Sequence, residues 1–378
     1  MRGVQSCKST PHLAVYLPSL RGGGAERVMV TLANGFAARG HTVDLVLASA
    51  EGPYLKDVCP SVRIMDLRAR RVSTSLPALV RYLRKERPAA LLSAMGHANV
   101  IAVLACKLAC VPTRIVVSER ANYSICRINE TSMRGRIMGS FMRWTYPRAD
   151  AVVAVSAGVA DDLASAIAFP REKISVIYNP VVAEPLLEKA QLAPDHLWLQ
   201  AGQPPVILGV GRLTVQKDFH TLIVAFGRLR QTRDVRLIIL GEGELRPQLE
   251  ALAVALRVQD AVSLPGFVDN PFAYMSRSAL FVLSSAWEGL PNALVQAMAC
   301  GTPVVATDCP SGPAEILENG RWGRLVPVGN EVALAEAMAA TLDEQEHPDV
   351  AARSAEFGVA LAVDGYLKVM LPRYGTSA

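Results

Sequence analysis

Short runs of aliphatic and β-branched residues alternate with longer stretches of helical periodicity along almost the whole 378-residue chain, and that alternation leaves few folds open. A strand, a crossover helix and a parallel strand close right-handedly, so a series of such units builds a parallel sheet with helices on its faces. Residues 12–17 (HLAVYL), 42–48 (TVDLVLA), 89–93, 114–118, 151–155 and 174–177 read as successive strands, with a helix predicted over 23–39. Periodicity then fails over 183–205, where Pro185, Pro194, Gly202, Pro204 and Pro205 collect, and this stretch reads as a linker. A second alternating series starts at Val206 and runs through 236–240, 262–264, 280–283 and 302–306 to near Leu325. The expectation is an α/β chain of two doubly wound domains, 1–182 and 206–355, with a helical segment, 356–378, packing back toward the first. Sheets of this kind hold ligands at the C-terminal ends of their strands, where the strand order reverses.

Charge is divided unevenly between the halves: residues 1–182 hold 24 Lys/Arg against 12 Asp/Glu, and the remainder holds 15 against 22. A basic first half points to an anionic partner, which charge alone does not identify. The seven cysteines (Cys7, Cys59, Cys106, Cys110, Cys126, Cys300, Cys309) form no Cys-x-x-Cys pair and no zinc-ligand spacing, so a reduced compartment is expected. Cys106 and Cys110 are expected as buried thiols of one helix-like stretch. The residues before His12 are polar and give no secretory signal, so the expected place is the cytoplasm, with a peripheral position on the inner face of the cytoplasmic membrane. Residues 89–111 approach the length of a membrane span, but His97, Asn99, Lys107 and the break at Gly96 make crossing costly, and a buried strand followed by a core helix is expected.

Three segments carry the chemistry. Residues 284–317 (SSAWEGLPNALVQAMACGTPVVATDCPSGPAEIL) follow a strand and open a helix, with Pro291 expected at an early helical position. The amides of Asn292, Ala293 and Leu294 would then face an anion at the helix start. Glu288, just before that helix, is placed to accept hydrogen bonds from sugar hydroxyls, and Gln296 lies on the same helical face as Asn292. Residues 210–219 (VGRLTVQKDF) bring Arg212, a rigid fork for phosphate oxygens, and Lys217, a compact charge on a flexible stem. Residues 19–27 (SLRGGGAER) put three glycines at a helix start without matching either the dinucleotide or the P-loop spacing. Plainer readings exist for each: a solvated carboxylate at 288, surface cations at 212 and 217, and simple turns at the glycines.

Taken in order, GGGAERV, VSAGVADDL, YNPV, GRLTVQKD, GEGELRPQL, GFVDN, EGLPNALVQAMACGTPVVATD and GRLVPVGN resemble the family-4 retaining glycosyltransferases of the GT-B fold. The resemblance implies two facing Rossmann-like domains with an interdomain donor cleft, the first binding acceptor and the second nucleotide sugar. It implies retaining transfer of a hexosyl or N-acetylhexosaminyl residue from a nucleoside diphosphate sugar, a UDP-sugar favoured over a GDP-sugar, to a glycan or lipid-linked glycan in cell-surface polysaccharide biosynthesis. Gly23 and Gly24 are then similar to the loop over the donor pyrophosphate, and Arg212 and Lys217 to the pair that neutralises it. Glu288 resembles the acid that contacts the transferred sugar. Gly241, Val268, Leu290, Asn292, Ala293, Leu294 and Gln296 fall at donor-binding positions. The family's second acid, on the ribose, is replaced by Gln296, an uncharged departure. His97 falls with the catalytic groups, and Glu119 and Arg120 fall on the acceptor side. No cofactor and no divalent metal are implied, and no Asp-x-Asp pair is present.

A nucleotide-sugar epimerase, a phosphorylase or a nucleotide-sugar-binding protein without transfer activity would share the fold. Nucleic acid is not an expected partner, because the basic half lacks interleaved aromatics and any known module. An anionic membrane surface is: residues 132–144 (SMRGRIMGSFMRW) place Met133, Ile137 and Phe141 on one helical face with Met138, Met142 and Trp144 beside it, flanked by Arg134, Arg136 and Arg143. The same stripe could instead pack on the protein's own core.

Overall fold

The computed structural model describes residues 10–129 and 133–372, and the side chains of 129 and 133–137 fall outside that description. The chain divides into two compact units: the described residues of Met1–Val155, Val159–Pro180 and Val359–Ala378 form one, and Ser156–Gly158 with Val181–Gly358 form the other.

The first unit holds seven strands: β1 (His12–Leu17), β2 (Thr42–Leu47), β3 (Val62–Asp66), β4 (Ala90–Ala94), β5 (Arg114–Glu119), β6 (Ala151–Ala154) and β7 (Ile174–Val176). Their order is β3-β2-β1-β4-β5-β6-β7, all pairs parallel, so the order reverses between β1 and β4. Residues 13–17 are fully buried, because helices cover both faces of a parallel sheet. Strand β3 is absent from the sequence reading. As an edge strand it exposes Arg63 and Ile64, and the apolar run that marks central strands is missing. Arg63 is anchored there by Asp44, fully buried in β2, and by Glu86. Burial alone would raise the Asp44 carboxyl, but hydrogen bonds from His12, Arg63 and Tyr82 hold it well below the usual range.

Residues 89–111 fold as β4 followed by the helix Gly96–Ala109, and no helix among the described residues is long and apolar enough to cross a membrane. Of the two cysteines expected to be buried there, Cys106 is. Cys110 ends the helix in the left-handed region, φ 53°, with its side chain exposed. The final helix, Val359–Met370, joins the first unit: Tyr366 and Met370 lie in the same core as Leu13 and Leu92. Val363 reaches the helix Gly24–Ala38 at Gly35, where a Cβ would come within 2.4 Å of it.

The second unit holds β8 (Val206–Val210), β9 (Arg236–Leu240), β10 (Val262–Gly266), β11 (Leu280–Leu283), β12 (Val304–Thr307) and β13 (Arg324–Val326). They lie in the order β10-β9-β8-β11-β12-β13, again parallel, with the reversal between β8 and β11. Residues 183–205 are not a bare linker. Glu184–Ala190 is a helix that buries Leu186 and Ala190 against the helix Pro271–Met275, and Asn270 and Ser276 donate to its carbonyls. Pro185 sits in its first turn, where proline starts a helix rather than breaking one.

The loops after β8, β9 and β10 are bonded to one another: Gly211 N donates to Leu240 O at 2.9 Å, Leu213 N to Glu242 O at 2.9 Å, and Gly241 N to Gly266 O at 2.8 Å. Gly241 has φ 136°, and a Cβ on it would stand 1.9 Å from Gly211 O. Only glycine fits, whatever else binds there. Gly241→Ala is expected to cost about 2–4 kcal/mol, the range for strain combined with a backbone clash, measured by chemical denaturation. A loss below about 0.5 kcal/mol would mean that the loops are not packed this closely.

Candidate functional site

In the second unit, the loops that leave β8 and β11 emerge side by side at the strand-order reversal. Residues 211–218 end in a 3-10 turn, Val215–Lys217, and in Asp218, whose carboxylate accepts from Thr221 N at 3.3 Å and caps the helix Phe219–Arg230. Three bonds join this loop to residues 284–291. Ala286 N donates to Gln216 O at 2.8 Å, Gln216 Nε2 to Trp287 O at 3.0 Å, and Ser284 Oγ to Lys217 O at 2.8 Å.

Lys217 and Glu288 are thereby brought together, Nζ to Oε1 at 2.5 Å, with side chains 17% and 7% exposed. Ser285 Oγ donates to the same Oε1 at 2.7 Å, while Oε2 has no hydrogen bond to a described residue. Glu288 is therefore not a solvated loop carboxylate, and Lys217 is not a free surface cation. Arg212 is exposed, and its guanidinium makes no hydrogen bond or ion pair with a described residue.

The sequence reading passed over Ser285. Its place three residues before Glu288 was the available signal, and Thr307 Oγ1 fixes it by donating to its carbonyl at 2.6 Å. Cys309 also lies close by. Burial and the neighbouring Glu288 carboxylate push its thiol up to about 12, so it offers no nucleophilic thiolate.

The helix Asn292–Ala299 starts one residue later than expected, with Pro291 as its N-cap. Leu294 N donates to Pro291 O at 3.1 Å and its side chain is fully buried, so Leu294 is a core residue and not a ligand-facing one. The first two helical residues, Asn292 and Ala293, are both half-buried. Gln296 is half-buried one turn on, Leu290 is buried, and Val268 is half-buried beside the exposed Phe267 in the loop after β10.

In the first unit, Gly23 is extended, φ 178°, and caps the helix Gly24–Ala38. A Cβ on Gly23 would meet the Glu26 carboxylate at 2.4 Å, so an acid already stands over this helix start. His97 is the second residue of the helix Gly96–Ala109 and is exposed, not a core histidine. Met95 turns the chain into that helix at φ 77°, an uncommon conformation for a side-chain-bearing residue and one found at functional turns.

Glu119 and Arg120 end β5. Glu119 Oε1 accepts from Tyr146 Oη and from Asn99 Nδ2 at 3.0 Å. Burial raises its carboxyl to about 7 against the opposing pull of Tyr146, Asn99 and Arg120. Arg120 donates to Ser118 Oγ at 3.2 Å, to Tyr366 Oη at 3.4 Å and to Asn179 Oδ1, so the last helix helps to aim it.

The amphipathic stretch lies on the helix Met133–Thr145. Met142 is buried in the unit's core, Met138 is half-buried, and Phe141 and Trp144 are exposed. The side chains of Met133, Arg134, Arg136 and Ile137 lie outside the described residues.

Two parallel sheets of this order, each reversing beside a loop cluster, are the two-Rossmann arrangement of the GT-B fold. Residues 22–184 match the Glycosyltransferase Family 4 description and residues 204–344 match Glycosyl transferases group 1. The chain is 30% identical over 356 residues, 88% of its length and 91% of the relative's, to the N-acetylgalactosamine-N,N'-diacetylbacillosaminyl-diphospho-undecaprenol 4-alpha-N-acetylgalactosaminyltransferase of Campylobacter jejuni. A lipopolysaccharide core biosynthesis glycosyltransferase of Rhizobium meliloti is 28% identical over 325 residues, 84% of each chain. HepE of Anabaena, solved in complex with UDP and glucose, superposes with a TM-score of 0.77 at 19% identity, covering 96% of this chain and 100% of that one. The chain belongs to glycosyltransferase family 4, and it is a glycosyltransferase.

The burial of the Glu119 carboxyl can be tested by pH. Because its folded pKa lies above the ordinary carboxyl value, its protonated form stabilises the fold fully below about pH 4.5, and that contribution is lost as pH rises through about 7. Glu119→Gln is therefore expected to gain about 2–3 kcal/mol relative to the parent between pH 5 and pH 8, read from denaturation midpoints at both pH values. A pH-independent difference would mean that this carboxylate is solvated.

Proposed function

We propose that the chain transfers a hexosyl or N-acetylhexosaminyl residue from a UDP-sugar to a lipid-linked glycan, with retention of configuration and with no divalent ion. The observation that carries this reading is the Lys217–Glu288–Ser285 cluster at the β8/β11 reversal, with the exposed Arg212 on the same loop as Lys217. Its open carboxylate oxygen suits sugar hydroxyls, and the two cations suit a diphosphate. The bond from the sugar's anomeric carbon to the β-phosphate oxygen breaks, and a bond to the acceptor oxygen forms on the same face. The acceptor's proton passes to the departing phosphate. Arg212, Lys217 and the start of the helix Asn292–Ala299 stabilise the charge on the leaving group, which is the task a divalent ion would otherwise serve. UDP in the Anabaena enzyme and the diphospho-undecaprenol acceptor of the Campylobacter enzyme support the donor and acceptor classes.

The first unit is proposed to rest on an anionic membrane. Leu108, Ile128, Phe141 and Trp144 are exposed at 54%, 79%, 47% and 51%, among the exposed Lys107, Arg127, Arg143 and Arg148. The guanidinium of Arg148 lies 4.3 Å from the Trp144 ring. Apolar anchors among cations fit a charged interface, each cation adding about 1 kcal/mol near an anionic surface.

UDP is expected to raise the melting temperature with concentration more than GDP does, and transfer is expected to persist in excess EDTA. Arg212→Ala should lower turnover at least 100-fold with an unchanged melting temperature, because the side chain is exposed. Lys217→Ala should lower both, because it strands Glu288 at a cost of about 3–5 kcal/mol. Normal turnover in both variants would refute the site. Phe141→Ser with Trp144→Ser should reduce co-sedimentation with phosphatidylglycerol vesicles, and unchanged binding would remove the membrane reading.

A further inference from the structure

The loop after β3 carries three arginines in four residues, Arg68, Arg70 and Arg71, all exposed. Its backbone is held firmly. Leu67 N donates to Leu47 O at 2.8 Å, Ala69 N to Ala48 O at 2.7 Å, Arg68 N to Asp66 Oδ1 at 2.8 Å, and Arg71 N to Thr74 Oγ1 at 3.2 Å. None of the three guanidinium groups forms an ion pair with a described residue. The acids nearest in the neighbouring loops are committed elsewhere: Glu51 to Arg21 and Ser49, and Asp66 to the amides of Arg68 and Ala50. Arg63, five residues earlier on the same strand, shows the opposite arrangement, with Asp44 and Glu86 both closed on it. Three exposed like charges on a loop of ordered backbone, without an acid of the chain paired to them, suit an external polyanion.

All strands of this sheet are parallel, so residues 67–71 leave it on the same edge as the glycines after β1 and the exposed His97 after β4. At about 4.8 Å per strand, β3 lies about 12 Å from the β1/β4 reversal, the span of a short saccharide. We propose that Arg68, Arg70 and Arg71 form the subsite that grips the diphosphate of a polyprenyl-diphosphate-linked acceptor, while its saccharide extends toward the reversal. This rests on the lipid-linked acceptor proposed above, and arginine forks suit such a group through paired, charge-assisted bonds. Anionic headgroups share the phosphate chemistry, so vesicle binding is read beside the diphosphate probe to tell the two apart.

The test compares the parent with a variant carrying Arg68→Ala, Arg70→Ala and Arg71→Ala, with the donor site saturated by UDP, using farnesyl diphosphate and phosphatidylglycerol vesicles as probes. Stabilisation of the parent by UDP, read in the same series, tests the donor assignment separately. The variant is expected to bind farnesyl diphosphate at least tenfold more weakly, with unchanged melting temperature, UDP response and vesicle binding. Replacement of all three by Lys should restore part of the affinity, and added salt should weaken the parent's binding. Equal farnesyl diphosphate affinity in parent and variant, or none in the parent, overturns the proposal. So does a loss confined to vesicle binding, which would assign the arginines to bilayer headgroups.

Discussion

A parallel sheet wound in both directions from its first strand must reverse somewhere, and at the reversal neighbouring strands send their following loops to opposite faces. The Lys217–Glu288 pairing in the second unit depends on that constraint. Lys217 follows β8 and Glu288 follows β11, and they meet because those strands are neighbours although 71 positions separate the two residues in the chain. The glycine contacts behind them serve the same geometry. With Gly241 against Gly211, the loops after β8 and β9 approach as closely as backbone allows, and the Lys217 stem crosses Gly211, where a Cβ would stand 3.1 Å from it.

The first unit uses the same reversal with different chemistry. Its groups at β4 and β5 are a buried acid, an aimed arginine and an exposed histidine beside a strained turn, with no buried ion pair like that of the second unit. Glu119 accepts hydrogen bonds from Tyr146 and Asn99, and burial outweighs them and the pull of Arg120, whereas at Asp44 the hydrogen bonds from His12, Arg63 and Tyr82 outweigh burial.

Much of this was legible in the sequence, for identifiable reasons. Central strands such as 12–17, 236–240 and 280–283 are buried on both faces and announce themselves as unbroken apolar runs, and their limits agree with the structure. Strand β3 is half exposed and carries Arg63, so only its neighbours reveal it. The proline-rich stretch 183–205 was misread because proline at a helix start and proline in a linker look alike without the partner helix. At the site, motif order marked Lys217 and Glu288, but pairing across 71 positions is a property of topology. Leu294 was misjudged for a local reason: the amide expected to face an anion is taken by the Pro291 carbonyl, a single hydrogen bond that composition does not encode.

The return of Val359–Met370 to the first sheet has a bearing on how the protein is made. The core around Leu13, Val15 and Phe36 includes Tyr366 and Met370, so the unit that leaves the ribosome first lacks part of its interior until synthesis has passed through the whole of the second. The second unit, drawn almost entirely from the continuous run Val181–Gly358, can complete its core while the first still waits. Order of emergence and order of completion are inverted. During that interval an unfinished apolar surface on the nascent first sheet is what a chaperone would meet.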